Sequence, residues 1–244
     1  MIKLEQDIEE IQSAGGSVSK DETFPLVSLR DVSLGYDSVP VLHGVNLAIS
    51  PGDLIGVAGP NGSGKTTLFR TILGLLPILG GSLSRNCTLS NFGYVPQSAA
   101  LDPHFPLNVR EIVEMGAYGR VRSYQFLPSE EKERTSQVLE QVGMRHLVTK
   151  SFFACSGGQK QRILIARALM VKPKIMILDE PLSGVDEDSR NTIAELLMHL
   201  TRVNGLAIFF SSHDLDMVQR VAEKIVRVDK GKIWLQERKV SGQP

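Results

Sequence analysis

The sequence has few cysteines, no long apolar run and no surplus of charge of either sign. Its two cysteines, Cys87 and Cys155, stand in unrelated contexts without the paired spacing of a zinc site or a disulfide framework, which is typical of a reduced cytosol. The most apolar stretches, residues 72–79 and 163–171, are much shorter than the roughly 20 residues of a membrane-spanning helix, so the chain alone is not expected to form a pore. With 27 basic and 27 acidic side chains, no overall field favours nucleic acid or an anionic membrane.

The first 23 residues differ in composition from the rest of the chain. They carry several acidic side chains and lack the apolar core of a secretory signal, so we expect no export. Residues 13–21 are rich in serine and glycine, which predicts an extension tied loosely to the remainder of the chain. An alternative is a short amphipathic helix built on Ile2, Leu4, Ile8 and Ile11.

The remaining sequence predicts an α/β fold. Short β-type runs at 26–34, 45–49 and 54–58 predict an antiparallel β layer that leads into a core strand, and a helical pattern at 65–76 comes next. The middle of the chain predicts helices at 109–118 and 129–143. Further on, strand patterns at 175–178, 206–210 and 225–228 alternate with helical ones at 189–203 and 215–222, which predicts a parallel sheet with crossover helices. A last strand at 232–235 closes a terminal hairpin.

The first motif that predicts a function is a phosphate-binding loop. The segment matches the eight-position pattern G-x-x-x-x-G-K-[ST] and lies between a predicted strand and a predicted helix. Its residues, with the threonine directly after them, are Gly59, Pro60, Asn61, Gly62, Ser63, Gly64, Lys65, Thr66 and Thr67. Backbone N–H groups of such a loop converge on phosphate oxygens, Lys65 reaches the β and γ phosphates, and the Thr66 hydroxyl ligates Mg²⁺. The alternative is a glycine-rich surface turn.

Two carboxylates, Asp179 and Glu180, end the apolar strand at 175–178. Nucleotides bind at this carboxyl edge of a parallel sheet. We expect Asp179 to hold Mg²⁺, through water, and Glu180 to act as the general base on a water in line with the γ phosphate. The alternative is an acidic turn that caps the next helix. Together with the phosphate-binding loop, the pair predicts a nucleotide hydrolase.

The segment Ser156, Gly157, Gly158 and Gln159, here called the signature segment, narrows the class of hydrolase. It places a serine hydroxyl and bare glycine amides at a second helix N-terminus, which is either a second anion site or only a capped helix start. Here the sequence resembles the ABC ATPase family, whose signature Leu-Ser-Gly-Gly-Gln lies just upstream of the second carboxylate motif. Cys155 stands in place of the leucine, which should alter the packing beside the segment more than phosphate contact.

The resemblance runs from Tyr36 to His213 and implies further roles. Tyr36 resembles the aromatic that stacks on adenine, although it also fits a tyrosine packed in the β layer. Gln97 resembles the glutamine that contacts Mg²⁺ or the attacking water and links the core to a helical insert; the alternative is an exposed loop amide. Asp186 ends a segment that resembles the loop crossing the dimer interface, and His213 resembles the switch histidine on the γ phosphate.

The resemblance also implies an architecture and an assembly. The implied fold is a RecA-like P-loop core with a mixed or parallel sheet, an N-terminal antiparallel β subdomain and an α-helical insert subdomain. The implied division is an extension at 1–23, an ATP-binding core with the antiparallel β subdomain at 24–98 and 166–244, and a helical signature subdomain at 99–165. Because the family's signature covers the nucleotide of the partner subunit, a head-to-tail homodimer that binds ATP and Mg²⁺ is implied.

Membrane partners and a cargo are implied by the same resemblance. Family members of this kind work with integral membrane permease subunits and an extracytoplasmic solute-binding protein, at the cytoplasmic face of the inner membrane, and no nucleic acid is implied. Residues 101–109 and 115–120 look like the segment in ATPases of zinc, manganese and iron importers. The five histidines, which are His43, His104, His146, His199 and His213, contain no pair at metal-ligand spacing, so we expect a partner to select the metal.

Three alternatives to a metal importer remain open. One is the ATPase of a transporter for another small solute. The second is a soluble single-unit ABC ATPase of the assembly type. The third is a nucleotide-gated interaction subunit without catalysis, but Glu180 and His213 are both present, so the sequence gives no sign of lost hydrolysis.

Overall fold

A computed structural model of the chain describes residues 24–97, 102, 105–119 and 127–237. The strands are β1 Val27–Tyr36, β2 Val39–Ile49, β3 Leu54–Ala58, β4 Ile78–Arg85, β5 Phe92–Val95, β6 Ile175–Leu178, β7 Ala207–Ser212, β8 Lys224–Asp229 and β9 Lys232–Glu237. The helices are α1 Lys65–Ile72, α2 Val109–Glu114, α3 Ser129–Gln141, α4 Gly157–Leu169, α5 Glu187–Asn204 and α6 Leu215–Val221. The expectations for residues 1–23, and for most of the segment 101–104, lie outside the described residues.

Two sheets form the framework, as the sequence patterns predict. The smaller sheet has the order β2-β1-β4 with antiparallel pairing throughout. The larger sheet has the order β5-β6-β7-β3-β8-β9, and it is parallel except for the terminal hairpin of β8 and β9. Since β3, β6 and β7 run parallel and lie in the middle, their carboxyl ends meet at one edge of the sheet.

The two faces of the larger sheet bury different apolar cores. Strands β3, β6 and β7 are buried along their whole length, which explains their nearly continuous apolar runs. One core lies between the two sheets and includes the buried face of α1, whose Phe69 ring packs 4.9 Å from that of Phe209. The other core packs the opposite face of the sheet against α2, α3, α4, α5 and α6. Helix α1 is thereby held firmly at the edge where the carboxyl ends of the strands meet.

Helix α1 ends at Ile72, four residues before the end predicted from the apolar spacing. Gly74 adopts a left-handed backbone with φ of 74°, which leaves the helical path. The Arg85 side chain also donates from Nε to the Ile72 carbonyl and from a terminal nitrogen to the Thr71 carbonyl, both at 2.8 Å. The Thr71 carbonyl also accepts from the Gly74 N–H at 3.0 Å, so Arg85 adds a second bond there and gives the Ile72 carbonyl at the helix end a partner.

Strand β4 and the short helix α2 also differ from the sequence-based expectation, and β2 begins at Val39, six residues before the predicted start at 45. The expectation for residues 78–85 contained no strand, because Gly80 and Gly81 interrupt the apolar alternation there. A helix was expected over 109–118, but α2 ends at Glu114 and turns come after it. Gly116 lies in these turns and packs closely on α4, where a Cβ would lie 2.1 Å from the Arg167 carbonyl oxygen. Along the described parts of the chain, none of the helices combines the length and apolar character that crossing a bilayer requires.

Candidate active site

The phosphate-binding loop connects β3 to α1 at the carboxyl edge of the larger sheet. Gly62 and Gly64 have φ values of 78° and 108°, which side chains rarely adopt, so the glycines of the motif are required by the backbone. A Cβ on Gly59 would lie 2.2 Å from the Val228 carbonyl oxygen, so the start of the loop rests directly on β8. Within the described structure no side chain caps the first turn of α1, and its N–H groups remain available to an anion.

An open cavity of about 480 Å³ borders this loop. Residues from several separate parts of the chain meet in it, as the sequence predicts for the phosphate-binding loop, Tyr36, Gln97, Asp179 and Glu180. The lining residues are Tyr36, Val41, Asn61, Gly62, Gly64, Lys65, Thr66, Thr67, Gln97, Asp179 and Glu180. Of the other loop residues, Gly59 and Pro60 present their carbonyls to the Lys65 ammonium at 2.8 and 3.1 Å, and Ser63 donates its N–H to Pro60 at 3.2 Å.

Glu180 lies between two cationic or potentially cationic groups. Its Oε1 is 3.5 Å from Lys65 Nζ, and its Oε2 is 2.9 Å from His213 Nδ1. The Glu180 side chain is only 5% exposed, whereas that of His213 is 57% exposed. Oε1 is buried and accepts no hydrogen bond, and the Lys65 ammonium is its charged neighbour.

The backbone at Glu180 is unusual for a residue with a side chain. Its φ is 51°, in the left-handed region. Two bonds hold this conformation, since the Glu180 N–H donates to Ser211 Oγ at 2.9 Å and the Ser183 N–H donates to the Glu180 carbonyl at 3.1 Å. The turn directs the Glu180 side chain toward the phosphate-binding loop. Strain of this kind is frequent at functional sites.

Both carboxylate oxygens of Asp179 accept hydrogen bonds from hydroxyl groups. Thr66 Oγ1 donates to Oδ2 at 2.8 Å, and Ser211 Oγ donates to Oδ1 at 2.7 Å. Asp179 itself is 3% exposed. Burial raises the pKa of the neighbouring Tyr94 phenol, the Asp179 charge raises it further, and Arg70 lowers it. The Asp179 carboxylate is thus held in contact with Thr66 in the first turn of α1.

Tyr36 and Gln97 both border the cavity, although they lie far apart in the chain. Tyr36 ends β1 and is partly exposed, and its hydroxyl accepts a bond from Arg70 at 3.3 Å. Val41 of β2 also lines the cavity. A tyrosine ring and a valine offer an apolar surface on which a flat base can stack.

The signature segment lies outside this cavity. Ser156 caps α4, where its Oγ accepts from the Gln159 N–H at 3.3 Å while Gln159 Oε1 accepts from the Ser156 N–H at 3.1 Å. Gly158 packs so closely that a Cβ would lie 2.3 Å from Ser189 Oγ. Cys155 is buried, and its thiol donates to the Ser151 carbonyl at 3.5 Å. The segment is a capped helix start, and it does not border the cavity of its own chain.

Asp186 also lies outside the cavity, at the start of α5. Its carboxylate accepts from the Ser189 N–H and from the Ser189 hydroxyl, both at 2.9 Å. The backbone bond from Ser189, together with the hydroxyl bond, holds the pKa of Asp186 below its usual value. Because Gly158 packs on the same Ser189, the signature segment and Asp186 form one continuous patch.

Three residues of this site were not predicted from the sequence. Ser211 bonds to both carboxylate residues, Val41 lines the cavity, and Arg70 contacts Tyr36. Of these, Ser211 had a recognisable signal, since it is one of two serines that end an apolar buried strand. Val41 and Arg70 carry no local signal, because only tertiary packing brings Val41 to the cavity and Arg70 to the Tyr36 hydroxyl.

The donor groups around the cavity fit a Mg²⁺ ion. The Thr66 hydroxyl and the Asp179 carboxylate lie in contact at 2.8 Å, and Gln97 borders the same space. Hydroxyl, carboxylate and amide oxygens are the ligands that Mg²⁺ takes beside phosphate oxygens. Among the described residues, no group of three or more His, Cys, Asp or Glu side chains is placed to hold a metal ion by itself.

Comparisons with known proteins give a consistent picture. The family model described as "ABC transporter" matches residues 42–183. A zinc import ATP-binding protein ZnuC of Marinobacter nauticus is 38% identical over 204 residues, which cover 84% of this chain and 74% of that protein. A solved metal-chelate type ABC transporter in an inward-facing conformation is 28% identical with a TM-score of 0.81, covering 87% of this chain and 83% of that one. A dimeric ATP-binding cassette in a post-hydrolysis state with ADP and phosphate is 26% identical with a TM-score of 0.73, covering 89% and 100%.

Proposed function

The chain belongs to the ABC transporter family as an ATP-binding subunit, and from this premise we propose the roles of its residues, its assembly and its cargo. It is an ATPase whose hydrolysis powers transport. The observation that carries the assignment of roles is the buried Glu180 carboxylate, with one oxygen beside His213 and the other without a hydrogen-bond partner. The residues act in two groups, one that binds the nucleotide and one that activates water.

The nucleotide-binding group consists of the phosphate-binding loop, Tyr36 and Val41. The uncapped amides at the start of α1 and the Lys65 ammonium receive the phosphates, while Tyr36 and Val41 provide the apolar surface for adenine. Thr66, Asp179 and Gln97 would hold Mg²⁺, which neutralises charge on the β and γ phosphates when bound. Binding by this group needs no residue of another subunit.

Glu180 is the general base in the second group. Its Oε1 accepts no hydrogen bond and lies 3.5 Å from the Lys65 ammonium; once Lys65 contacts the phosphates, this oxygen would accept a proton from water beside the γ phosphate. His213 contacts the other oxygen at 2.9 Å and orients the carboxylate. His213 does not line the cavity itself, and its role as a switch that senses the γ phosphate is inferred from its exposed ring and its contact with Glu180.

A head-to-tail homodimer completes each site. The signature segment is exposed at Ser156 and lies apart from the cavity of its own chain, and it forms one patch with Asp186. Its amides would face the γ phosphate held by the partner, which adds a second helix N-terminus to the site. The dimeric cassette with ADP and phosphate, to which this chain is similar, supports such an arrangement.

We divide the chain into an ATP-binding core, which contains the larger sheet, and a helical insert. We assign the ATP-binding core with the antiparallel β subdomain to 24–98 and 166–244, the helical signature subdomain to 99–165, and an extension to 1–23. Helix α4 runs across the second junction and connects the signature segment to the core. The insert contacts integral membrane permease subunits at the cytoplasmic face of the inner membrane, and an extracytoplasmic solute-binding protein delivers the cargo.

The proposed cargo is a transition metal ion, with zinc first. The relative of 38% identity is named as a zinc import subunit, and the transporter with the TM-score of 0.81 is described as metal-chelate type. We test this by purifying the complete complex and measuring its ATPase rate with the binding protein loaded with zinc, manganese or iron. Stimulation by another solute and by none of these metals would make the cargo assignment wrong.

Glu180→Gln tests the hydrolytic assignment. The amide cannot take the proton, so we expect turnover to fall by at least about a hundredfold, while ATP still drives dimerisation in gel filtration. Lys65→Ala is the matched comparison, because it should lose nucleotide binding and therefore dimerisation as well. Near-normal turnover in the Glu180→Gln protein would remove Glu180 from the role of base.

A further inference from the structure

Ser211 is a buried polar residue with no role in the proposed reaction so far. It lies in β7, between Phe210 and Ser212, and its exposed fraction is 0%. Alternation along the strand places it on the same face as Phe209, which packs against α1. It pairs with Val57 of β3, one step beyond the last pairing of β7 with β6. This position brings its hydroxyl to the point where β6 ends and the two carboxylate residues begin.

The Ser211 hydroxyl bonds to both of those residues at once. It donates to Asp179 Oδ1 at 2.7 Å and accepts from the Glu180 N–H at 2.9 Å. A hydroxyl has one proton to donate, and the Glu180 N–H already occupies an acceptor position, so the proton is committed to Asp179. The Ser211 hydroxyl therefore acts as acceptor toward Glu180 and as donor toward Asp179.

These two bonds control different properties of the neighbours. At Asp179 the Ser211 bond holds one oxygen while Thr66 holds the other, so the plane of the carboxylate is set before any ligand binds. At Glu180 the bond fixes the N–H of a residue whose φ is 51°, and with it the direction in which the side chain leaves the chain. An outer group that orients metal ligands commonly changes metal affinity or activity by about 10–100-fold when removed.

We propose that Ser211 is a positioning residue, whose single hydroxyl aims the Asp179 carboxylate at the metal and the Glu180 carboxylate at the attacking water. The inference rests on the roles proposed above for Asp179 and Glu180. It also explains why a serine occupies a fully buried strand position next to two phenylalanines, where an apolar residue would otherwise pack.

Ser211→Ala removes the hydroxyl and tests the proposal. We expect turnover to fall on the order of tenfold, and the affinity for Mn²⁺, measured by electron paramagnetic resonance with ADP present, to weaken by a similar factor. Binding of ATP without metal should stay unchanged, because Lys65 and the amides of the loop are untouched. Ser211→Thr keeps the hydroxyl and should restore the Mn²⁺ affinity.

Ser212→Ala is the matched control, since it removes a neighbouring buried hydroxyl on the opposite face of β7. Ser212 Oγ accepts from the Asp214 N–H at 3.1 Å, away from both carboxylate residues. We expect this variant to bind Mn²⁺ like the wild type. If Ser211→Ala does not fold, Ser211→Cys fills a similar space with a weak donor and should show the same losses to a smaller degree.

Three results would overturn the proposal. They are an unchanged Mn²⁺ affinity in the folded Ser211 variants, an equal loss in the Ser212 control, or a Ser211→Thr protein that folds but binds Mn²⁺ no better than the alanine variant. Failure of the proposed hydrolytic role is recognised separately, because it would appear as normal turnover in Glu180→Gln. The Mn²⁺ measurement does not depend on turnover, so it tests Ser211 in either case.

Discussion

At the scale of single residues, the Asp186 side chain both caps helix α5 and belongs to the exposed patch that contains the signature segment. It caps α5 through two bonds from Ser189, and the same serine supports Gly158 in the signature segment. The bonds favour the ionised form, so the folded pKa of Asp186 lies below the unfolded value. The resulting stabilisation is fully present above the unfolded pKa and is lost as the pH falls through the folded pKa.

Asp186→Ala should therefore lower the thermal midpoint by a few degrees at neutral pH, with the gap to wild type closing below a pH of about 4. Asp186→Asn can still accept the Ser189 N–H bond, so it should keep most of the midpoint and lose the pH dependence. Thermal unfolding monitored by circular dichroism between acid and neutral pH measures both. Asp188→Ala changes an acidic neighbour in the same first turn without touching the cap, and it should not reproduce this pattern.

At the scale of elements, the sequence predicted best those helices and strands whose ends are set by neighbouring residues in the chain. Strand β6 was predicted with both of its ends, because a fully buried parallel strand has a continuous apolar run that carboxylates terminate. The end of α1 could not be predicted, because it depends on Arg85, which lies 13 residues beyond Ile72 in the chain. At the site, the phosphate-binding loop and the two carboxylates were recognised from their local pattern, whereas Val41 reaches the cavity and Arg70 reaches Tyr36 only by tertiary packing.

Arg85→Ala tests this account of α1. It removes two bonds of 2.8 Å to the end of the helix, and we expect the free energy of unfolding to fall by about 2 kcal/mol. Because the lost bonds lie at the end of α1, hydrogen exchange should also become faster in the last turn of this helix. Urea unfolding and exchange measurements give the two values. Arg30→Ala, which removes an exposed arginine from β1, should change neither of them.

At the scale of the whole molecule, the cavity and the signature segment are complementary parts that one chain keeps apart. The cavity contains the residues that we propose hold a nucleotide, while the patch of the signature segment and Asp186 lies outside it. A homodimer of C2 symmetry would place the patch of each subunit against the cavity of the other, which gives two identical contacts. Nucleotide binding and dimerisation should therefore be separable by substitution.

Ser156→Arg, made in the Glu180→Gln protein, tests that separation. We expect the monomer to bind ATP as before, because the cavity is untouched, but ATP-dependent dimerisation should weaken by at least about tenfold, since the bulky cation blocks a close-packed interface. Nucleotide fluorescence and analytical ultracentrifugation measure the two properties. Ser129→Arg, at an exposed helix start on α3, is the control, and its dimerisation should match that of the parent. Unimpaired dimerisation of the Ser156 variant would contradict the composite site.

The left-handed backbone at Glu180 has a consequence for how this protein evolves. Glycine would adopt a φ of 51° without the penalty of about 1 kcal/mol or more that a residue with a side chain incurs. Position 180 is thus one where backbone strain and the proposed catalysis favour different amino acids. Glycine would also remove the contacts with Lys65 and His213, so laboratory selection for thermal tolerance alone, with transport made dispensable, compares the two effects. Enrichment of glycine would mean that relief of strain outweighs these contacts, and that the chain forgoes stability to keep its proposed base.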